Sequence, residues 1–280
     1  MAGGNGLDNE MFLKLRDMIY EKSGMYFNDS KRYLLESRIG GRLKECSCKS
    51  YDEYYYLLKY DPLRFQEINK LFDAVTTNET YFFRDTFQLE AFEKKIMSLI
   101  IEKKEKSKKR SIKIWSAACS TGEEPYTIAI LLMENRLLLQ SYSIEVLASD
   151  ISENVLSSAR KGIYGSYSLR NLSKEHLKIY FSPLDGKYMV NPEVKKLIRY
   201  CNINLYDTEK IKSIQNVDIA FCRNVLIYFD NTSKKKVISN IYDSLDQGGF
   251  LIIGPSESLH SVSRAFKLLN FNRAIIYQKE

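Results

Sequence analysis

The chain has 280 residues, of which 44% are apolar and 12% aromatic, enough to bury one α/β core plus a smaller module. No stretch approaches the roughly 18 consecutive apolar residues of a membrane-spanning helix, and the first residues lack the features of a signal peptide, so we expect a cytoplasmic protein without membrane insertion. The five cysteines are scattered and there are only two histidines, so we predict no disulfide and no metal site. The net charge of +7 arises in one segment, so we predict no nucleic-acid partner.

Helical patterns fill the first quarter of the chain. Apolar residues recur at helical spacing and stop at Ser23-Gly24, a pair that is typical of a helix C-terminus. Further helices are predicted at 28–45, 51–60 and 63–75. The sequence therefore predicts a small all-helical domain over residues 1–75.

Two arginines share one face of the second predicted helix. Arg38 and Arg42 are one turn apart, beside an apolar stripe formed by Leu35, Ile39 and Leu43. The simplest interpretation of this pattern is a solvated basic face.

Polar and aromatic side chains are concentrated in the segment Thr76–Asp85. An amphipathic helix start would explain the aromatics, but it does not require Asn78, Thr80 and Arg84 together.

Further on, Lys94–Lys113 holds nine basic residues against two acidic ones, a difference equal to the net charge of the whole chain. Such a run between two apolar segments is typical of a solvated helix end and connector, so the charge gives little support to a nucleic-acid function.

Strands alternate with helices from about Ser111 onward. Strands are predicted at 112–116, 144–150, 217–222, 249–254 and 273–278, and helices at 124–139, 152–161 and 233–245. This alternation predicts a doubly wound, mostly parallel sheet. Residues 163–206 interrupt the rhythm with turn residues and two short strand candidates, at 187–190 and 198–205, and we predict an inserted small β subdomain there.

Candidate ligand-binding residues follow the predicted strands, because ligands of an open α/β sheet bind at the carboxyl ends of its strands. After the first strand, Glu123 and Glu124 place negative charge at a helix N-terminus, where it disfavours a phosphate; taken alone, this stretch is equally compatible with helix capping. Asp150 ends the second strand, where an acidic side chain can accept hydrogen bonds from a ribose diol. The third strand ends in Arg223-Asn224, which we expect to face the crevice rather than cap the next helix.

This combination favours a nucleoside that carries a cationic methyl donor. Carboxylates suit a ribose and a sulfonium, aromatic rings suit cation–π contact and stacking, and small residues allow close approach. The sequence holds no G-x-G-x-x-G, H-E-x-x-H, G-x-S-x-G or Walker lysine motif, so dinucleotide, hydrolytic and phosphoryl chemistry lack their characteristic residues.

Several segments closely resemble the CheR family of protein-glutamate O-methyltransferases. In chain order they are Thr76–Asp85, Trp115–Tyr126, Ala148–Ile151 with Ala159–Tyr164, Phe221–Asp230 and Ile253–Ser258. Their order and spacing cover nearly the whole chain. The resemblance implies a Rossmann-like class I methyltransferase domain over 111–280 with the β subdomain inserted at about 163–206, a helical domain over 1–75, and a linker with a cofactor-binding helix over 76–110.

The same resemblance implies S-adenosylmethionine as the cofactor, S-adenosylhomocysteine as the product and no metal. It carries cofactor-binding roles over to Asn78, Thr80, Arg84, Glu124, Asp150, Asn204, Leu205, Arg223 and Asn224. Of the two adjacent glutamates, we prefer Glu124. Arg84 and Tyr228 resemble the family's residues nearest the methyl group and are predicted to be catalytic, Arg84 by orienting the incoming carboxylate or the cofactor and Tyr228 by walling the reacting centre.

The reaction that the resemblance implies is an in-line displacement at the sulfonium methyl by a glutamate oxygen of another protein. A glutamate side chain with an ordinary pKa of about 4.3 is ionised at neutral pH, so no general base is required. Catalysis then depends on holding the carboxylate and the methyl group in near-attack geometry.

Substrates in this family are the coiled-coil cytoplasmic helices of chemoreceptors, whose glutamate methyl esters set receptor adaptation. The resemblance therefore implies a cytoplasmic enzyme that associates with receptor clusters at the membrane. The face that carries Arg38 and Arg42 resembles the family's basic substrate-docking helix. Some members also bind a receptor's C-terminal pentapeptide through a longer, glycine-containing loop, but the corresponding turn, Phe181–Tyr188, is short here, and we predict weak or absent peptide tethering.

Two other functions would use the same cofactor fold. A nucleic-acid methyltransferase would be favoured by a basic stripe across the catalytic face, but the excess charge here lies in one connector. A module that senses S-adenosylmethionine or its product without turnover is the other alternative, and the intact Asn78–Arg84 segment favours an enzyme instead.

Overall fold

The N-terminal part of the protein is all-helical in the computed structural model, which describes residues 6–271 and 273–280. Its helices are α1 Asn9–Ser23, α2 Arg32–Glu45, α3 Tyr51–Tyr60 and α4 Arg64–Val75. Local sequence sets the ends of α1: the Asp8 carboxylate accepts a hydrogen bond from Met11 N at 2.7 Å, and Gly24 adopts a φ of 75°, which glycine tolerates best. The helices bury an apolar core that includes Phe12 and Leu35. The predicted helical domain is confirmed.

A second helical stretch leads from this domain to the sheet. It consists of α5 Thr86–Ala91, a π-helical turn Phe92–Ile96, and α6 Met97–Ser107. The basic run on α6 is not simply a solvated connector: Lys104 is 3% exposed with its Nζ 2.8 Å from the Asp218 carboxylate, and Lys103 Nζ lies 2.9 Å from the Asp246 carboxylate. Part of the positive charge therefore joins α6 to the sheet.

Strands and helices then alternate. The strands are β1 Ser111–Ala117, β2 Ser143–Asp150, β3 Ile163–Tyr164, β4 Phe181–Leu184, β5 Lys187–Val190, β6 Ile198–Asn202, β7 Val217–Cys222, β8 Leu245–Ile253, β9 Phe266–Phe271 and β10 Ala274–Lys279. The helices are α7 Glu123–Glu134, α8 Arg136–Leu139, α9 Glu153–Lys161, α10 Lys174–Tyr180, α11 Pro192–Lys195, α12 Thr208–Ile211 and α13 Asn231–Ser244. This order is that of a doubly wound α/β protein.

The main sheet has the strand order β6-β2-β1-β7-β8-β10-β9. Strands β6, β2, β1, β7 and β8 are parallel, and β10 runs antiparallel to both of its neighbours. Strands β3, β5 and β4 form a separate small antiparallel sheet. The predicted doubly wound, mostly parallel sheet with a small β subdomain is confirmed.

Side chains of the central strands alternate between two apolar cores, one on each face of the sheet. On β1, Ile112 and Ile114 join one core, whereas Trp115 and Ala117 join the other. Residues of α6 and α7 complete the first core, and residues of α12 and α13 complete the second. Burial on both faces leaves the carboxyl ends of the strands as the exposed edge of this layer, where a ligand can bind.

The structure differs from the prediction at the end of the insertion. The strand candidate at 198–205 was assigned to the β subdomain, but it forms β6 and pairs in parallel with β2 at the edge of the main sheet. Apolar patterning cannot distinguish these two sheets, because strand partners lie far apart in sequence. In addition, β9 was not predicted, and the single predicted helix 124–139 is divided into α7 and α8.

Candidate active site

A cleft opens at the carboxyl ends of β1, β2 and β7. Its empty volume is about 1290 Å³, part of it open to solvent. Every residue predicted to bind the cofactor or to lie next to the methyl group lines this cleft: Asn78, Thr80, Arg84, Glu124, Asp150, Asn204, Leu205, Arg223, Asn224 and Tyr228. The fold thus brings these side chains together from well separated parts of the chain.

The two adjacent glutamates after β1 have different surroundings. Glu123 is 1% exposed and accepts hydrogen bonds from the hydroxyls of Thr121 at 2.7 Å and Ser168 at 2.9 Å. Burial raises its pKa. Glu124 instead lines the cleft, where it accepts hydrogen bonds from Ser116 Oγ at 2.7 Å and Arg223 Nη1 at 3.1 Å. Of the two carboxylates, Glu124 is the one that lines the cleft, and its role as a cofactor ligand stays a prediction.

The loop between β1 and α7 depends on a glycine. Gly122 has a φ of 95°, and a Cβ at this position would lie 2.8 Å from Ala159 Cβ and 3.1 Å from the Tyr164 hydroxyl. Ser120, with a φ of 50°, donates its backbone N–H to Asp150 Oδ2 at 2.9 Å. The tight loop therefore brings backbone close to the end of β2 and leaves room for a ligand.

Asp150 is an oriented and largely buried carboxylate at the end of β2. It is 5% exposed, and its two oxygens accept hydrogen bonds from the backbone N–H groups of Ser120 and Ser152, the latter at 3.0 Å. Burial raises the pKa of Asp150, and these backbone donors oppose the shift. A carboxylate fixed in this way can accept hydrogen bonds from ribose hydroxyls.

Arg223 connects several walls of the cleft through a side chain that is 3% exposed. Its Nε donates to Gln88 Oε1 at 2.7 Å, and its Nη2 donates to Arg84 O at 2.7 Å and lies 2.8 Å from the Asp85 carboxylate. Its Nη1 reaches Glu124. A guanidinium engaged on all three nitrogens holds its neighbours in fixed positions.

Arg84 lies between two residues with an uncommon backbone conformation. Phe83 and Asp85 have φ angles of 53° and 56°, a region that residues with a side chain rarely adopt. Arg84 Nη1 donates to Glu79 O at 3.0 Å, and its guanidinium carbon lies 5.5 Å from the centroid of the Tyr81 ring. Strained residues of this kind are concentrated at functional sites, where the surrounding structure over-determines them.

Tyr228 ends a short 3₁₀ turn that follows β7. Its hydroxyl donates to Thr77 O at 3.3 Å, and its carbonyl accepts a hydrogen bond from Tyr26 N at 2.9 Å. Burial raises the pKa of the Tyr228 phenol, so the hydroxyl stays protonated at neutral pH. The side chain is therefore a neutral wall of the cleft, held at its hydroxyl by the segment after α4, while the backbone of Tyr228 is held by the N-terminal domain.

Asn204 and Leu205 follow β6, where the N-terminal domain approaches the cleft. Asn204 Nδ2 donates to Lys22 O at 2.6 Å, and the Leu205 carbonyl accepts a hydrogen bond from Asn240 Nδ2 at 3.0 Å. The cleft is therefore bounded by both domains.

Sequence reasoning missed Glu257. Its Oε2 accepts hydrogen bonds from Gly254 N at 2.7 Å and Asn224 N at 2.9 Å, and Asn224 has a φ of 59°. Among the described residues, Asn224 Oδ1 is buried without a hydrogen-bond partner, so it is an acceptor available to a ligand. Glu257 lies in the segment Ile253–Ser258, which carries part of the family resemblance, but we predicted no role for any residue of that segment.

The interpretation of Arg38 and Arg42 as a solvated basic face requires a correction at Arg42. Arg42 is 7% exposed, and its Nε and Nη2 lie 2.9 Å and 2.8 Å from the two carboxylate oxygens of Glu67, which also accepts a hydrogen bond from Tyr54. Arg38 is half-buried and donates to Thr77 Oγ1 at 2.7 Å. Arg42 is therefore packed between α2 and α4 and is not the solvated side chain that the pattern favoured. Receptor docking by this helix stays a prediction.

Comparison with known proteins assigns both parts of the chain to one family. The family model for the all-alpha domain of CheR methyltransferase matches residues 10–76, and the model for its SAM-binding domain matches residues 78–275. The chain belongs to the CheR methyltransferase family. Membership accounts for the Rossmann-like sheet and the helical N-terminal domain together.

Curated members of the CheR methyltransferase family are similar along most of the chain. Chemotaxis protein methyltransferase 2 of Vibrio cholerae is 35% identical over 269 residues, which cover 96% of this chain and 92% of the relative. The chemotaxis protein methyltransferase of Borreliella burgdorferi is 37% identical over 272 residues, which cover 95% and 93% of the two chains. A third relative, from Pseudomonas putida, is 34% identical and covers 99% of both chains.

The cleft lies mainly in the part of the chain that matches the SAM-binding domain of CheR methyltransferase, and its side chains can be compared with the chemistry of that cofactor. Glu124 and Asp150 supply carboxylates, Asn224 supplies an unpaired acceptor, and Tyr81 and Tyr228 supply aromatic rings. These groups fit a nucleoside that carries a sulfonium and an ammonium.

Two further observations concern only residues 6–271 and 273–280. No group of three or more His, Cys, Asp or Glu side chains there is arranged to hold a metal ion. None of the helices there is both long and apolar enough to cross a membrane.

Proposed function

We propose that this protein transfers a methyl group from S-adenosylmethionine to glutamate carboxylates on the cytoplasmic helical domain of chemoreceptors, forming glutamate methyl esters. The observation that carries the proposal is the cleft in which Glu124, Asp150 and Asn224 meet Arg84 and Tyr228, in a member of the CheR methyltransferase family. The relatives from Vibrio cholerae and Borreliella burgdorferi are chemotaxis protein methyltransferases by name. The proposal includes a cytoplasmic location at receptor clusters.

In this proposal the cofactor is held by side chains that are already oriented. When bound, S-adenosylmethionine supplies an electrophilic methyl group on a positively charged sulfur. Asp150, aligned by two backbone N–H groups, accepts hydrogen bonds from the ribose. Glu124, aligned by Ser116 and Arg223, interacts with the positive charge of the methionine part. Asn224 Oδ1 accepts a hydrogen bond from a ligand donor.

Arg84 and Tyr228 serve the transfer step. The substrate glutamate is ionised at neutral pH, so the enzyme has to position the carboxylate and does not have to deprotonate it. Arg84 presents a guanidinium at the cleft and can pair with the incoming carboxylate. The neutral Tyr228 ring excludes water beside it. Positioning of this kind can supply roughly 7–11 kcal/mol of the barrier.

The test is an assay of labelled methyl transfer from S-adenosylmethionine to membranes that contain native chemoreceptors. We expect label in the receptor band, released as methanol by base because a methyl ester is base-labile. Membranes without receptors are the control. Label in nucleic acid would contradict the proposal in favour of a nucleic-acid methyltransferase, and tight binding of S-adenosylhomocysteine without any transfer would contradict it in favour of a sensing module.

A further inference from the structure

An exposed arginine of the β subdomain lies against the wall of the cleft. Arg170 is in the loop between β3 and α10. Its guanidinium carbon is 3.5 Å from the centroid of the Tyr81 ring and 4.0 Å from the centroid of the Tyr167 ring. Tyr81 lines the cleft. Stacking on two rings restricts a side chain that would otherwise rotate freely, so the Arg170 cation is held beside the cleft.

The loop that carries Arg170 is fixed to the same wall. The Ser168 carbonyl accepts a hydrogen bond from Phe82 N at 3.0 Å, and the Tyr167 hydroxyl donates to Glu79 Oε1 at 3.0 Å. Arg170 Nη1 in turn donates to the Tyr167 carbonyl at 2.7 Å. The position of Arg170 relative to the cleft is therefore set by hydrogen bonds as well as by stacking.

The charge of Arg170 has no counterion within residues 6–271 and 273–280. No carboxylate oxygen there lies within 4.0 Å of its guanidinium, and its Nε and Nη2 donate no hydrogen bond to that part of the chain. The nearby Glu79 carboxylate accepts from Tyr167 instead. The Nε and Nη2 groups of an arginine form one edge of the guanidinium, and this edge suits a carboxylate that accepts two parallel hydrogen bonds.

Arg170 and Arg84 are close to one another because both contact the same ring. The guanidinium carbon of Arg84 is 5.5 Å from the centroid of the Tyr81 ring. A substrate helix whose target glutamate pairs with Arg84 therefore passes near Arg170. Side chains three or four residues apart on a helix lie on one face, with Cβ atoms about 5–6 Å apart. A second carboxylate at that spacing can reach Arg170.

We propose that Arg170 is a substrate-binding residue that recognises a second carboxylate, one helical turn from the target glutamate, on the receptor. Glutamates with such an acidic neighbour are then methylated in preference to those without one. This role rests on the proposed methyltransferase function. The contact lies beside the reacting centre and is separate from any docking by α2.

The first test is steady-state methyl transfer to a coiled-coil fragment in which one glutamate is flanked by acidic residues four positions away on either side. We expect Arg170→Ala to raise KM for this fragment by about 3- to 10-fold and to leave kcat within about twofold, because binding is lost equally in the ground state and the transition state. Lys174→Ala removes an exposed lysine from the same subdomain and should change neither constant. An unchanged KM for Arg170→Ala would overturn the proposal.

A second fragment, in which glutamine replaces the flanking acidic residues, tests the contact from the substrate side. The wild-type protein should prefer the acidic fragment by about 3- to 10-fold in kcat/KM, and Arg170→Ala should treat the two fragments alike within about twofold. Arg170→Lys keeps the charge but loses the planar edge, so its preference should be intermediate. If Arg170 only held the cleft wall, its removal would slow both fragments equally and keep the preference, and that result would contradict the proposal.

Binding measurements make the test independent of turnover. Calorimetry should give equal affinities of the wild-type protein and Arg170→Ala for S-adenosylhomocysteine within about twofold, because Tyr81 and the rest of the cleft wall are unchanged. In the presence of S-adenosylhomocysteine, the acidic fragment should bind about 3- to 10-fold more weakly to the variant. If the wild-type protein forms no methyl ester, the proposed function fails and fragment binding decides alone. Weaker binding by Arg170→Ala then supports the carboxylate contact, and equal binding, or binding by neither protein, overturns it.

Discussion

Neighbouring residues can have opposite roles, and Glu123 and Glu124 are an example. Glu123 is enclosed by hydroxyl groups, and burial raises its pKa above the ordinary value of 4.5. Its charge therefore costs stability at pH values above the raised pKa, and this cost disappears as the pH falls towards the value of the unfolded chain. Glu124 is held by a cation at the cleft and is available to a ligand.

Replacing each of the two glutamates by glutamine should separate stability from binding. We expect Glu123→Gln to raise the free energy of unfolding at pH 7 by about 1 kcal/mol, or roughly 2–4 °C in Tm, since the hydroxyls of Thr121 and Ser168 can reorient to accept from an amide. The gain should vanish near pH 4.5. Glu124→Gln should weaken S-adenosylhomocysteine binding by about 10- to 100-fold. Equal effects of the two changes on affinity would contradict this assignment.

Arg84 should matter for transfer and not for folding. In the described residues its side chain makes one hydrogen bond, to the Glu79 carbonyl, and one long ion pair, with Asp85 at 3.8 Å, both partly solvated, so Arg84→Ala should leave Tm within about 2 °C of the wild type. We expect methyl transfer to fall by at least about 100-fold. Arg84→Lys keeps the charge but loses the planar fork, and should have intermediate activity. Wild-type turnover by Arg84→Ala would exclude the residue from the mechanism.

At the residue scale, position along the chain predicted more of the site than composition did. Asp150 and Asn224 could be identified because they follow strands that end at one edge of the sheet. Arg42 could not be interpreted in the same way, since its partner Glu67 lies on another helix. Glu257 was missed because its role depends on contacts with backbone groups that only the folded chain brings near it.

Among the elements, the loop between β1 and α7 has no room for a side chain at Gly122. Gly122→Ala should destabilise the protein by about 2–4 kcal/mol, because a Cβ would meet Ala159 at 2.8 Å in a backbone conformation that disfavours alanine. Gly41→Ala is the matched control: it lies in α2, where a Cβ meets nothing within 4 Å, and it should stabilise by about 0.5–1 kcal/mol. Chemical denaturation measures both, and a mild effect at Gly122 would contradict the prediction.

Two lysines of the basic run, Lys103 and Lys104, form ion pairs that join α6 to the sheet. Asp218→Ala should cost about 3–5 kcal/mol in the free energy of unfolding, since it leaves the buried Lys104 ammonium without its counterion. Asp246→Ala should cost only about 0.5–1 kcal/mol, because its partner Lys103 is partly solvated. Urea unfolding of the two variants provides the measurement. Similar losses in the free energy of unfolding of the two variants would mean that the burial of Lys104 does not determine the cost of removing its counterion.

Element identity could be predicted where one periodicity ran for several turns or strands, as in α1 to α4 and in the central strands. The partner of each strand could not, as β6 shows by pairing with β2 in the main sheet. Strand pairing depends on contacts between distant parts of the chain, and local patterning carries no information about them.

For the whole molecule, the two domains share the site. Met25 forms a β-bridge with Phe229, and the Tyr20 hydroxyl lies 3.2 Å from the Asp230 carboxylate, which caps α13. These contacts join the end of α1 to the segment that carries Tyr228. The helical domain therefore forms part of the cleft, a relation that no local sequence pattern could predict.

The small sheet offers little edge to a receptor peptide. One edge strand, β3, has two residues, and the other, β4, contains Pro183, which has no N–H to donate. The hairpin between β4 and β5 closes tightly through Asp185 and Gly186, with φ angles of 44° and 73°. A peptide that binds by adding a strand needs a row of free backbone donors and acceptors, which this edge lacks.

We therefore expect the C-terminal pentapeptide of a receptor to bind with a Kd weaker than about 1 mM in calorimetry, while S-adenosylhomocysteine titrated into the same sample binds normally and shows that the protein is folded. Removing the pentapeptide from a receptor should then leave methyl transfer unchanged, because docking would depend on the helical domain of the receptor alone. A tight peptide complex would contradict this expectation and would require a binding surface other than the edges of the small sheet.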